Sequence, residues 1–329
     1  MTDDFIFKSQ FSETIKSFIL EKRGLGHKYR AEAATLRFFD KYVCASGYCG
    51  VEISKELFEN WTNRRPHERE KTCENRTSIL RQFCKYMIRL GGKAYLPPPK
   101  QRLRKDISYR PHIFTNEELA RFLKCVENMP GSAQRRTVFY MLFSLLICTG
   151  MRISEALQLQ WTNIDWGKTP LLVSIYGAKF DKDRAIPLSE GLSKQLLDYR
   201  MTMSILFPEC VYLFPSRYYF PYSEHEVYIV FRKVLWKAGI SHGGKGYGPR
   251  LHEFRHTFAV KSLRKMVYAN EDIMAVMPLL SQYLGHKNIY ATQIYLQFTA
   301  DMFPYVTETI QNALGNVIPE IEVRDENTN

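Results

Sequence analysis

The chain has 329 residues, of which 45% are apolar, and a mean hydropathy of -0.30. This is enough apolar material for one large core or two ordinary ones, which argues against a disordered or fibrous protein. The net charge of +12 is concentrated near the amino terminus: residues 1–110 carry 23 basic and 13 acidic side chains, and residues 111–329 carry 23 and 21. A positive field confined to one region suits a polyanion such as DNA or RNA, although basic surfaces also serve solubility and membrane binding.

Cysteine usage and hydropathy bear on the compartment. The seven cysteines are odd in number and include no C-x-x-C pair, which favours a reducing cytoplasmic interior. The first residues, MTDDFIFKSQF, do not have the pattern of a secretory signal. The longest apolar run, Val138 to Cys148, is far shorter than the roughly 20 residues that cross a bilayer. It therefore predicts a buried helix, and no membrane partner is expected.

Residues 9–91 have the periodicity of four helices. In the second predicted helix, apolar residues recur every three or four positions on one stripe: Tyr29, Ala33, Leu36, Phe39 and Val43. The fourth predicted helix has a similar core-facing stripe of Ile79, Phe83, Tyr86, Met87 and Leu90. Its basic residues are expected to lie on other sides and to contact DNA phosphates: Arg76, Arg81, Lys85 and Arg89.

A linker is predicted at residues 96–112, because three consecutive prolines begin at Pro97 and a polar, basic stretch follows. The linker separates an N-terminal helical domain, residues 1–95, from a C-terminal domain, residues 113–329. Three linker residues are further candidates for DNA contacts: Arg102, Arg104 and Lys105.

The C-terminal domain is predicted to be mainly helical. Thr115 and Glu118 have the spacing of a capping box that opens a helix, and an apolar helix follows at about 135–148. Residues 171–177 and 184–188 have strand-like composition and flank a charged turn, which predicts a small antiparallel hairpin. From residue 190 the pattern is again mainly helical. An amphipathic helix is predicted at about 303–318.

Three segments carry residues suited to phosphodiester chemistry: TGMRISEAL at 149–157, LHEFRHTFA at 251–259 and LGHKNIYATQIYL at 284–296. Each segment is a weak signal by itself. Their order, with AKFDKD at 178–183 between them, resembles the tyrosine recombinase, or phage integrase, family and especially its small Xer-like members. The resemblance implies a mainly α fold with a small antiparallel β-sheet, in which a four-helix DNA-binding domain precedes an α+β catalytic domain.

The resemblance also assigns site residues. The catalytic residues would be Arg152, Lys179, His252, Arg255, His286 and the nucleophile Tyr295, with Glu155 in support. Tyr295 follows His286 by nine positions, as the family pattern expects, and is preferred over the nearby Tyr290.

The chemistry of these residue types fits the assignment. Arg152 and Arg255 offer planar, permanently charged groups to the oxygens of one phosphate. A phenol with a pKa of about 10 needs nearby positive charge or a base such as His252 to become a nucleophile. Its attack would leave a 3′-phosphotyrosyl bond, and Lys179 is the candidate acid for the departing 5′-oxygen. No metal or other cofactor is expected.

For the whole protein, the resemblance implies a site-specific DNA recombinase of a prokaryotic cytoplasm, associated with the nucleoid. Its partner would be double-stranded DNA with specific recombination sites. Four protomers would exchange strands between two sites through a Holliday junction, with the helix at 303–318 docking on a neighbouring protomer. The sequence leaves open a role for accessory proteins.

The sequence also fits other interpretations. Residues His252 to His256 match H-E-x-x-H, the zinc-protease helix, although Arg255 would crowd a metal there. Arg152 and Glu155 alone would suit a surface ion pair. A DNA-binding protein that has lost the chemistry, and a type IB topoisomerase that reseals one site without joining two, are further alternatives.

Overall fold

The computed structural model describes residues 5–98, 111–176, 183–240, 248–269, 271–286, 288, 290–293 and 295. Contacts divide the chain into two compact units, Met1–Asp106 and Ile107–Asn329. The predicted helix at 303–318 lies outside the described residues. Within the described part of the chain, no helix combines the length and apolar character needed to cross a membrane.

The described residues of the first unit, 5–98, form four helices, as the periodicity predicted. They are α1 (Ser12–Gly24), α2 (Arg30–Ala45), α3 (Lys55–Thr62) and α4 (Glu70–Arg89). All five residues of the predicted α2 stripe are buried. They join a core rich in aromatic rings, in which Phe18 packs against Phe83 and Phe39 packs against Trp61. Burial of these rings fixes the four helices around one core.

Helix α4 departs from the prediction at two residues. Leu90 is exposed, because α4 ends at Arg89 and the chain turns at Gly91, which has a φ of 82°. Arg76 was expected on an exposed side, but it is buried and forms an ion pair with Glu68. The reason lies in the helical period: Arg76 precedes Leu80 by four positions and Phe83 by seven, which places all three on the core-facing side.

In the second unit, α5 (Asn116–Glu127) begins with the predicted capping box, in which Thr115 and Glu118 each bond the other's backbone N–H. Helix α6 (Ala133–Thr149) is the predicted apolar helix. Buried residues occur on all its sides, so it forms the centre of the unit. It ends at Gly150, whose φ of 61° turns the chain into the short helix α7 (Ile153–Leu157).

A three-stranded antiparallel sheet follows a single 3₁₀ turn. The strands are β1 (Ile164–Asp165), β2 (Leu172–Ile175) and β3 (Arg184–Pro187), in the order β1-β2-β3. In the β2–β3 pair, Val173 lies opposite Ile186, and both are buried. This confirms the predicted hairpin, whereas the two-residue strand β1 was not predicted.

After the sheet, the described part of the second unit is mainly helical, as predicted. It contains α8 (Glu190–Leu206), α9 (Glu224–Lys237), α10 (Glu253–Tyr268), α11 (Ile273–Leu284) and α12 (Tyr290–Gln293). Apolar side chains of α10 and α11, among them Val260, Leu263 and Leu280, form a second cluster that also contains Tyr295. This cluster brings two of the three candidate segments, 251–259 and 284–296, together in space.

Candidate active site

Arg152 is held at the start of α7 by its own helix. Its backbone N–H donates to Glu155 Oε2 at 2.9 Å, and its Nη1 donates to Glu155 Oε1 at 2.7 Å. Its Nη2 donates to the Gly285 carbonyl at 2.9 Å, although Gly285 is 133 residues away. The Arg152–Glu155 contact is therefore a pair largely removed from solvent, not the surface ion pair that the sequence left open.

Arg255 lies in the first turn of α10, and its guanidinium is almost completely buried. Nη1 donates to the Gly150 carbonyl at 3.0 Å, and Nη2 donates to the Leu284 carbonyl. Arg152 and Arg255 thus both bond the turn at Leu284–Gly285. His252 is the N-cap residue of α10, one turn before Arg255.

His286 follows this turn directly. Its backbone N–H donates to the Ser281 carbonyl at 3.0 Å, and its Nδ1 lies 2.7 Å from the hydroxyl of Thr292. Thr292 is fully buried. Thr292 was not among the predicted site residues, because a threonine in a helical pattern has nothing to distinguish it before the fold is known.

Tyr295 is only 2% exposed and lies between two histidine rings. The ring centroid of His286 is 6.1 Å away in a stacked arrangement, and that of His256 is 5.5 Å away in an edge-on arrangement. His256 in turn packs edge-on against His252 at 4.9 Å. His256 appeared in the sequence analysis only as part of H-E-x-x-H, and its contact with Tyr295 was not predicted.

The electrostatics of the site keep its histidines neutral. Burial lowers the pKa of His252 to about 4, helped by the positive charge of the neighbouring Arg255 and Arg152 and by His256. Burial and the same two arginines lower the pKa of His286 to about 4. At neutral pH each imidazole therefore has one nitrogen that can accept a proton.

The phenol of Tyr295 responds to opposing effects. Burial raises its pKa, and Arg255 and Arg152 lower it less than burial raises it. The net pKa is therefore above its ordinary value. This differs from the expectation that surrounding positive charge activates the phenol, because in the chain alone the burial of Tyr295 has the larger effect.

The side chains of two candidates are not described by the structure. Lys179 is not among the described residues, and the side chain of Tyr290 at the start of α12 is not described either. The structure thus brings together Arg152, Glu155, His252, Arg255, His286 and Tyr295.

The H-E-x-x-H interpretation requires Glu253 to face a metal held by His252 and His256. Instead Glu253 is buried, and its Oε2 accepts a hydrogen bond from the backbone N–H of Arg250 at 2.9 Å. Among the described residues, no three His, Cys, Asp or Glu side chains are grouped to hold a metal ion. Glu253 therefore caps the start of α10.

The candidate DNA-binding residues have different surroundings. Lys85 is exposed on α4, and Arg89 is exposed but paired with Glu21 of α1. Arg81 is half-buried. Arg76 belongs to the core, as described above. The linker candidates Arg102, Arg104 and Lys105 lie outside the described residues.

Comparison with known proteins extends these observations. Residues 112–301 match the model of the phage integrase family. Over 295 residues the chain is 28% identical to the integrase/recombinase y4rB of Sinorhizobium fredii. The aligned region covers 88% of this chain and 93% of the relative. Over 240 residues it is 25% identical to the tyrosine recombinase XerC of Pediococcus pentosaceus, covering 71% of this chain and 74% of the relative.

Solved structures agree at the level of the fold. The structure of the XerH site-specific recombinase bound to its difH substrate superimposes with a TM-score of 0.64 at 21% identity, covering 91% of this chain and 84% of that one. Because the family model spans more than half of the sequence, the chain belongs to the phage integrase family and is by class a tyrosine-type site-specific DNA recombinase.

Proposed function

We propose that this chain cleaves and rejoins DNA through a 3′-phosphotyrosyl bond formed by Tyr295. The observation that carries the proposal is the grouping of two arginines and neutral histidines around one tyrosine: His286 and His256 contact the ring of Tyr295, and His252 contacts His256. Arg152 and Arg255 share the turn before His286, and the ring of His286 stacks on that of Tyr295. This combination supplies a nucleophile, proton acceptors and fixed positive charge.

In the proposed reaction the phenolic oxygen of Tyr295 attacks the phosphorus, and the bond from phosphorus to the 5′-oxygen breaks. Arg152 and Arg255 stabilise the charge that develops on the non-bridging oxygens. Neutral His252 accepts the phenolic proton, and Lys179 gives a proton to the 5′-oxygen. His286 donates a hydrogen bond to a non-bridging oxygen. Attack by a 5′-hydroxyl reverses these steps, so rejoining needs no external energy source.

The burial of Tyr295 adds a requirement to this scheme. A side chain that is 2% exposed cannot reach a phosphate on a duplex without moving. The proposed function therefore includes a displacement of Tyr295 when DNA binds. Its raised pKa keeps the phenol protonated until then.

At the level of assembly, we propose that residues 1–95 and 113–329 act as two domains that clamp the duplex, joined by the linker 96–112. Four protomers would then exchange strands between two specific sites through a Holliday junction. The structure of a lambda integrase tetramer bound to a Holliday junction matches this chain with a TM-score of 0.60 at 18% identity, which supports a common fold. The segment 303–318 would dock on a neighbouring protomer, and accessory proteins remain further partners to test.

The decisive test uses a nicked duplex carrying a site selected from random duplexes by its affinity for the protein. Wild-type protein should form a covalent adduct on denaturing gels, and Tyr295→Phe should form none. Tyr290→Phe is the matched control and should form normal adduct. Adduct that persists in Tyr295→Phe and disappears in Tyr290→Phe would contradict the assignment of the nucleophile.

A further inference from the structure

Arg184 is the first residue of β3, and its side chain is buried and hydrogen-bonded within the protein. Its side chain is only 6% exposed. Nη1 and Nη2 donate to the two carboxylate oxygens of Glu155 at 3.1 Å and 2.7 Å, and Nε donates to the Tyr283 carbonyl at 2.8 Å. All three nitrogens of the guanidinium are thus engaged within the protein.

These bonds close a ring that includes the first arginine of the site. Glu155 accepts from both Arg184 and Arg152, and Arg152 donates to the Gly285 carbonyl, two residues after Tyr283. The ring therefore ties β3, α7 and the turn before His286 to one another. A Cβ atom at Gly285 would lie 2.9 Å from Arg184 Nη1, so the glycine allows the close approach of the guanidinium.

Charge gives Arg184 a second effect. A carboxylate paired with Arg152 alone would cancel the positive charge that a phosphate requires. Because Glu155 is shared between two arginines, it orients Arg152 while the group as a whole stays positive. Burial of Glu155 opposes its ionisation, but the hydrogen bonds and charges of Arg184 and Arg152 outweigh burial and hold its pKa below the ordinary value.

We propose that Arg184 is a positioning residue for DNA cleavage. Through Glu155 and the Tyr283–Gly285 turn it sets the position of Arg152 and keeps the group of Arg152, Glu155 and Arg184 positively charged, without touching DNA. The inference rests on the proposed cleavage reaction. It predicts that loss of Arg184 slows the chemical step far more than it weakens DNA binding.

The test compares Arg184→Met and Arg184→Lys with Arg121→Met. Arg121 is the control for loss of an arginine outside the ring: it is exposed, and its Nε donates to the Ala238 carbonyl of the same unit at 3.2 Å. On saturating nicked duplex, Arg184→Met should slow adduct formation about 100-fold, the scale of loss expected when a reacting group is misplaced by about 1 Å. Its dissociation constant for intact duplex should change less than about threefold, an effect below 1 kcal/mol. Arg184→Lys should fall between, since an ammonium keeps the charge but not the fork.

A double variant separates positioning through Glu155 from a general structural role. In Arg184→Met, the unshared carboxylate neutralises Arg152, so adding Glu155→Gln should make adduct formation faster than in Arg184→Met alone. A further loss in the double variant would overturn the proposal. So would a loss in Arg121→Met equal to that in Arg184→Met.

An activity-independent measurement distinguishes this proposal from the proposed function. Amide hydrogen exchange at residues 281–286 should be faster in Arg184→Met than in wild type, and unchanged in Arg121→Met. If wild-type protein forms no Tyr295-dependent adduct, the proposed cleavage reaction is wrong. Hydrogen exchange still tests the ring in that case, because unchanged exchange at 281–286 in Arg184→Met would refute it. Equal exchange together with adduct formation within about threefold of wild type, again below 1 kcal/mol, would overturn the assignment of Arg184.

Discussion

At the scale of single residues, the site depends on two glycines as much as on its charged groups. The Gly150 carbonyl accepts from Arg255 and the Gly285 carbonyl accepts from Arg152, and both glycines have φ near 60°. A left-handed residue turns the chain sharply and leaves its carbonyl available to a side chain. Two backbone turns thus fix the separation of the two arginines before any phosphate arrives.

Gly150→Ala should therefore impair both stability and cleavage. The left-handed conformation costs roughly 1–2 kcal/mol for a residue with a Cβ, and a Cβ at Gly150 would lie 2.6 Å from Phe258 Cδ1. Gly239→Ala is the control, since Gly239 has a similar φ of 66° with nothing within 4 Å of the added Cβ. Urea unfolding and adduct formation should both be affected more in Gly150→Ala. Equal effects in the two variants would show that the losses come from the strained backbone conformation and not from the contact with Phe258.

The neutral histidines predict a dependence of stability on pH. His252, His256 and His286 have a pKa of about 4 in the folded chain, against a value of about 6.5 in an unfolded chain. Between these values the unfolded state binds more protons, so the free energy of unfolding rises with pH. The stabilisation is complete above about pH 6.5 and is lost as the pH falls through about 4. Urea titrations at pH 7 and pH 5 should show this, and His286→Gln should have a smaller difference between the two.

At the scale of elements, helix α4 places Arg76 and Lys85 in different surroundings, although both were predicted to contact DNA. Arg76 contacts Glu68 and donates from Nη2 to the Asn63 carbonyl at 2.9 Å, whereas Lys85 is exposed. Removal of a buried, hydrogen-bonded cation leaves its partners unsatisfied, whereas removal of an exposed cation alters little in the fold.

Arg76→Met should therefore lower the thermal midpoint of the N-terminal unit while Lys85→Met leaves it within experimental error. The effects on DNA affinity at a temperature where both variants are folded should be the reverse, with Lys85→Met the weaker binder. Calorimetry and a binding titration check the two halves of this prediction. A large loss of affinity in folded Arg76→Met would return that residue to the DNA-binding surface.

The same elements show how much the sequence could predict. Local patterns predicted the four helices of the first unit, the capping box at Thr115 and the hairpin of β2 and β3, because these depend on residues a few positions apart. The role of Arg184 could not be predicted, because Glu155 is 29 residues away and Tyr283 is 99 residues away. The burial of Tyr295 depends likewise on the packing of α10 and α11. Arg76 is a different case, since its helical position relative to Leu80 and Phe83 was available in the sequence.

At the scale of the whole molecule, most of the surplus positive charge and the candidate active site lie in different units. The surplus of basic residues is within 1–110, and the convergent site is built from residues 150–295 of the second unit. Binding to a duplex by phosphate contacts releases counterions and gives a salt dependence of about 0.9 per contact in log–log form. Binding affinity and cleavage rate should therefore be separable by substitution.

Two charge substitutions test that separation in the full-length chain. Lys85→Gln should reduce the salt slope of duplex binding by about 0.9 and leave the rate of adduct formation at saturating DNA unchanged. Arg152→Lys keeps the charge and thus the salt slope, but loses the fork, so adduct formation should fall about 100- to 1,000-fold. Lys55→Gln is the control for the first unit, since Lys55 is exposed on α3 beside Glu59 and is not a candidate for DNA contact. If Lys55→Gln lowered the salt slope as much as Lys85→Gln, the positive charge of the first unit would attract DNA as a diffuse field. DNA would then not bind to one defined face of α4.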